Sequence, residues 1–167
     1  MKNKIFIGEF IGSAFLVMVI VGSGIMAQNL TRDFAVMLLA NTLATGAGLF
    51  VLISSIANIS GAHFNPVVTM AMYFTKKIKK DLIFTYLSAQ ILGCLLGVML
   101  ANFMFDLPII ELSKKVRPGF NIFIAELIAT FGLIFIIFGT LKKGSTSVAA
   151  SVFHAKISHS HFTGLFY

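Results

Sequence analysis

Four long apolar runs, Ile5–Ala27, Phe34–Ile59, Leu82–Phe105 and Ile122–Leu141, constrain this chain more than any other feature. The first holds one charge, Glu9, the last holds one, Glu126, and the two between hold none. A hydrocarbon core of roughly 30 Å is crossed by about 20 helical residues rising ~1.5 Å each, so every run is long enough to span a bilayer as one helix. Composition agrees: 57% of residues are hydrophobic, 11% are charged and the mean hydropathy is +0.94, whereas soluble domains carry about 25% charged residues. The expected class is an all-α, multi-pass membrane protein. Lys2 and Lys4 ahead of the first run imitate a signal peptide, but the run is too long for one and recurs later in the chain. The net charge of +7 sits in short clusters between apolar runs, which argues against a nucleic-acid partner and for membrane lipid. Cys94 is the only cysteine, so no disulfide framework or paired thiolate site is expected.

The connecting segments orient the bundle. With the N-terminus in the cytoplasm, the inner side carries Lys2, Lys4, Lys76, Lys77, Lys79, Lys80, Lys142 and Lys143, and the outer side carries Arg32, Lys114, Lys115 and Arg117. The excess of inner cations predicts a cytoplasmic N-terminus in the cell membrane, with the 76–80 run resting on anionic headgroups.

The chain also repeats itself. At an offset of 117, Ile5, Phe6, Ile7, Glu9, Ile11, Leu16, Ile20 and Gly22 face Ile122, Phe123, Ile124, Glu126, Ile128, Leu133, Ile137 and Gly139. Shared Ile and Phe are common in apolar runs, but a shared Glu in the same frame is not. Three spans separate the two starts, and an odd number makes this an inverted repeat, an architecture of channels and transporters. The expected organisation is a first repeat over 1–112, with helices at about 5–27, 34–59 and 82–105 and a half-helix at 65–74. The start of a second repeat follows over 113–150, with a helix at about 122–141, and then a tail over 151–167.

Between the second and third spans lies Ser60-Gly61-Ala62-His63-Phe64-Asn65-Pro66-Val67-Val68-Thr69, running on to Phe74. Asn65 is a strong N-cap and Pro66 suits the first helical position, so a helix starts there. It stays apolar for about nine residues, ~13 Å, before the lysines, which is half a bilayer. The segment therefore enters from the lysine side, turns near the midplane and returns as a half-helix. Non-helical backbone at such depth must be buried in protein or line a watery cavity. Extended backbone at Gly61, Ala62 and His63 offers carbonyl acceptors, Asn65 offers amide donors, and the positive end of the half-helix dipole repels cations at the same spot.

This segment closely resembles the first Asn-Pro-Ala signature of the major intrinsic proteins, the aquaporins and aquaglyceroporins. Glu9, Glu126, and Gln90 with Gly93 and Gly97 also fall where that family places them, and the resemblance covers about residues 4 to 150. It implies an aquaporin-like inverted-repeat fold with two half-helices meeting at Asn-Pro tips, assembled as a homotetramer. The implied activity is passive flow of water, glycerol or other small neutral solutes past Asn65, Pro66 and the carbonyls of Gly61, Ala62 and His63. It further implies that Glu9 and Glu126 accept hydrogen bonds from re-entrant backbone. Val67 stands where the family usually has Ala. Counting 20 residues back from Asn65, the helix-2 position of the family's constriction falls on Thr45, where strict water channels typically have Phe; a small polar residue there leans toward glycerol-like solutes.

Other residues have plainer readings. The small residues Gly8/Gly12, Ala40/Ala44/Gly48, Gly93/Gly97/Ala101 and Ala125/Ala129, four apart, let helix backbones approach closely. The two glutamates could instead relay protons, but neither has a charged partner nearby in sequence; the His63 ring could gate by pH, but His63 is flanked by loop residues and its expected contribution is its backbone carbonyl. His154, His159 and His161 have loose metal spacing without Cys or carboxylate, so no metal is expected. No catalytic triad, carboxylate pair or Gly-rich phosphate loop occurs, so neither enzyme activity nor a cofactor is expected.

The repeat makes a demand on length. It places the second Asn-Pro at about position 182, beyond Tyr167, and the residues from 151 on, with Lys156 and three histidines, make a poor span. The expectation is an incomplete second repeat from a truncated or frameshifted channel gene. Two alternatives stay open: a non-conducting fragment that associates with other subunits, and a secondary transporter with a broken midplane helix.

Overall fold

The computed structural model describes residues 1–110 and 119–141, and the tail with its three histidines, Lys114, Lys115, Arg117, Lys142 and Lys143 lies outside them. Every regular element among the described residues is helical: α1 (Lys2–Leu30), α2 (Phe34–Ser60), α3 (Pro66–Phe74), α4 (Lys80–Met104) and α5 (Phe120–Thr140). Four of these, α1, α2, α4 and α5, are long and apolar enough to cross a membrane, and α3 is the short fifth. α1 overruns its apolar run at both ends, because helical hydrogen bonding continues into the interface where hydropathy has already dropped.

Local chemistry sets the boundaries. Asp33 caps α2 by accepting from the backbone N–H of Ala35 and Val36, at 2.8 and 3.2 Å. Gly61 ends α2 in the left-handed region, φ 94°, and its N–H closes onto the Ala57 carbonyl. Asn65 caps α3, with Oδ1 accepting from Val67 N–H at 2.8 Å and Pro66 opening the helix.

In lipid the hydrophobic effect does not drive helices together, so packing rests on close approach and polar contacts. α1 and α4 cross where a Cβ on Gly93 would strike the Phe10 carbonyl oxygen and one on Gly97 the Ala14 carbonyl oxygen. α2 joins α1 through Gly48 against Val19, and Asn41 donates to the Ile20 carbonyl at 2.8 Å and to Ser23 Oγ at 3.1 Å. A core of Ile53, Ala62, Phe64, Val68, Met72 and Ile137 wraps the re-entrant segment. α5 packs against α3 and buries only Ile137, while Ala125 and Ala129 are partly exposed and a Cβ added to Gly132 or Gly139 would meet no other element within 4 Å among the described residues.

Candidate functional site: a braced re-entrant loop beside an open cleft

Depth comes first. Ser60 lies against Gly8 of α1, and the Phe64 ring lies so close to Gly12 that a Cβ there would overlap it. Gly12 is ten residues into α1 and seven past Ile5, where the apolar run begins, which at ~1.5 Å per residue puts the start of α3 roughly 10–15 Å in, toward the middle of a hydrocarbon core of roughly 30 Å.

The loop is held there by one carboxylate. Glu9 is completely buried. Its Oε1 accepts from Ser60 Oγ at 2.7 Å and from His63 N–H at 3.0 Å, and its Oε2 accepts from Phe64 N–H and Gln90 Nε2, both at 2.8 Å. A charge at the centre of a membrane helix costs at least ~2.5 kcal/mol. Hydrogen bonds to a charged group contribute about 1.5–3 kcal/mol each, so four offset that cost and leave a surplus that fixes the loop. The surplus is needed: Ala62 and Phe64 hold positive φ, 51° and 49°, and each such non-glycine residue stores about 1–3 kcal/mol.

A second set of bonds finishes the brace. Gln90 Nε2 also donates to Thr69 Oγ1 at 3.0 Å, and Thr69 donates to the Asn65 carbonyl at 3.2 Å. With its one proton so used, the Thr69 oxygen can only accept from His63 Nδ1, 3.1 Å away. The His63 ring stacks on Tyr86 at 4.4 Å between centroids, and the Tyr86 hydroxyl donates to the Ser60 carbonyl.

With every inward bond made on the Glu9 side, the opposite edge of the loop is free. Among the described residues no hydrogen bond uses the carbonyls of Gly61, Ala62 or His63. Asn65 spends Oδ1 on its cap, which leaves its NH2 unbonded. This edge faces a cleft of about 320 Å³, walled by Leu16 of α1, Leu49 and Ile53 of α2, Val68 and Met72 of α3, and Leu133 and Ile137 of α5. One side is a ladder of acceptors ending in two donors, and the others are nearly all aliphatic. Such a cleft can hydrogen-bond a neutral hydroxylated molecule while offering no counter-charge to an ion.

The structure gathers Gly61, Ala62, His63 and Asn65 at this edge with Glu9 behind it, while Pro66 opens α3 and does not line the cleft. Thr45 is elsewhere: it continues the Leu49–Ile53 stripe by one turn but is 1% exposed, does not line the cleft, and its hydroxyl has no partner among the described residues. Glu126 sits on the exposed face of α5 and makes no side-chain hydrogen bond among the described residues. Val67 points outward, 46% exposed. Sequence reasoning missed Ser60, Thr69 and Tyr86 as brace residues. Tyr86 and Gln90 lie four apart on an apolar helix, a spacing that marks one polar face.

A family profile of the major intrinsic proteins matches residues 1–166. The chain belongs to the major intrinsic protein family. Among curated relatives, it is 44% identical over 128 residues to the aquaglyceroporin AqpS of Rhizobium meliloti, covering 77% of this chain and 55% of that protein. It is 33% identical over 158 residues to aquaporin TIP1-1 of Arabidopsis thaliana, covering 89% and 62%. This major intrinsic protein chain thus spans little more than half the length of those relatives. Its fold matches that of the aquaglyceroporin from Plasmodium falciparum, with a TM-score of 0.82 over 98% of this chain and 74% of that one at 23% identity. The inverted-repeat membrane fold expected from the sequence is therefore the fold found.

Proposed function

We propose that this chain carries one half of the pore of a passive channel for water and small neutral solutes such as glycerol. The observation that carries the reading is the free edge of the re-entrant loop: three unbonded carbonyls and the Asn65 NH2, at half the depth of a membrane, facing the cleft. A water or hydroxyl oxygen accepts from Asn65 and donates to the carbonyls in turn, while the positive end of α3 disfavours cations and the aliphatic walls return nothing for a lost hydration shell. Glu9 acts as the brace that keeps the carbonyls turned to the cleft, and Glu126 takes the same role toward a second loop. Thr45 is the filter position on α2, one turn beyond the lined wall. The N-terminus lies in the cytoplasm of the cell membrane, as the lysine excess at that end favours, and the working assembly is a homotetramer.

A second reading has its own support. One face of α5 exposes Phe120, Phe123, Leu127, Ile128, Phe131 and Phe135, so this apolar face fits further helices of the same family, and the chain then acts as a non-conducting partner of full-length subunits. Stopped-flow osmotic swelling of proteoliposomes separates the two. Swelling faster than protein-free vesicles in water or glycerol gradients supports the channel; equal rates in both gradients refute conduction by this chain.

A further inference from the structure

Among the described residues, the helical walls of the cleft are apolar with one exception. Asn58, in the last turn of α2, lines the same cleft as the loop carbonyls and Asn65, is exposed, and its carboxamide makes no hydrogen bond among the described residues. A carboxamide near a helix C-terminus commonly folds back onto backbone; this one leaves both its donors and its acceptor available. Its placement is defined by α1. Ser60, two residues on from Asn58, lies against Gly8, and Phe64, beside Asn65, lies against Gly12. The two carboxamides therefore stand roughly one helical turn, ~5 Å, apart along the bundle axis, with the carbonyls of Gly61, Ala62 and His63 between them.

We propose that Asn58 is a specificity-determining residue that binds one hydroxyl of a polyhydroxylated neutral solute at the lysine-bearing mouth of the cleft, while the loop carbonyls take a second hydroxyl. The inference rests on the channel reading above and extends it from a class of solutes to a preference within it. At roughly 30 Å³ per water, the cleft of about 320 Å³ holds on the order of ten waters. Molecular size therefore selects little at this mouth, and the hydrogen-bond pattern must do it. A water, even one that bridges both groups, gains nothing from the aliphatic wall. A polyol spans two, and lays its carbon chain on Ile53 and Met72 opposite. Asn58 consequently favours polyols over both water and mono-alcohols.

The test has two arms. In proteoliposomes, Asn58→Ala lowers the ratio of glycerol to water permeability about five-fold, the loss expected for one hydrogen bond, and Asn58→Gln, which keeps the carboxamide, restores much of it. In lipid nanodiscs holding the full chain labelled with ¹⁵N at asparagine, the side-chain amide resonance that Asn58→Ala removes shifts saturably with glycerol and not with equal 1-propanol. An amide indifferent to glycerol, or one moved equally by propanol, overturns the proposal, as does an unchanged permeability ratio in Asn58→Ala. If the unaltered chain does not conduct while the Asn58 amide still responds to glycerol alone, the channel reading fails and the binding site stands.

Discussion

Replacing Glu9 by glutamine tests the brace with almost no change in shape. The carboxylate accepts two hydrogen bonds on each oxygen, from Ser60 and His63 on one and from Phe64 and Gln90 on the other. Glutamine keeps one oxygen and turns an NH2 toward the other pair. If that pair is Ser60 and His63, the serine hydroxyl rotates to accept and the His63 N–H is stranded. If it is Phe64 and Gln90, the Gln90 amide turns to present Oε1, which has no partner in the native structure, and the Phe64 N–H is stranded. Either way one backbone N–H is left unmatched at mid-membrane depth, at about 1–3 kcal/mol. That is about a 5- to 150-fold rise in the population of loop-open states. Hydrogen–deuterium exchange of the chain in nanodiscs, read at His63 and Phe64, should show acceleration in that range. Glu126→Gln, at an exposed position with no side-chain hydrogen bond among the described residues, should leave both amides unchanged. Equal protection at His63 and Phe64 in Glu9→Gln and the unaltered chain would refute the claim that this carboxylate holds the loop.

Other perturbations follow from the same contacts. Gly97→Val drives side-chain atoms into the Ala14 carbonyl and should separate α1 from α4, lowering stability by at least about 1–3 kcal/mol in thermal unfolding in detergent. Tyr86→Phe removes only the bond to the Ser60 carbonyl and should cost about 1 kcal/mol by the same assay, with the His63 stack retained. Gly12→Ala strikes the Phe64 ring and should destabilise the fold by about 1–3 kcal/mol, and the added change Phe64→Leu should recover part of it. Lys2→Ala breaks an ion pair of 3.7 Å whose two side chains are more than half exposed, so the unfolding temperature should not move measurably.

The spans were legible because membrane helices must satisfy their own backbone and face lipid, which writes itself as uncharged runs near the right length. The half-helix was legible for a different reason: Asn65 and Pro66 are local start signals, and the lysines after Phe74 mark where the membrane ends. Glu9 marked a site but not its contents, since its partners come from positions 51 to 81 residues away and only the crossing of α1, α2 and α4 brings them together. Glu126 shows the converse: it matches Glu9 in the repeat, yet burial depends on the loop placed against it, and here it faces outward. Thr45 was reached by counting along α2; it is buried one turn beyond Leu49, where the α2 wall of the cleft ends among the described residues. Asn58 was passed over because a polar residue in a last helical turn is ordinary in sequence; only the cleft beside it makes it unusual.

The central claim is that neutral solutes pass along the free edge formed by Asn65 and the three loop carbonyls. Asn65→Asp tests it most directly, because aspartate keeps the cap on Val67 and removes the two amide donors. In stopped-flow swelling of proteoliposomes, the account predicts that the unaltered chain exceeds protein-free vesicles in water or glycerol flow and that Asn65→Asp, with unchanged helix content, loses most of that excess. Flow through Asn65→Asp equal to that of the unaltered chain would contradict it.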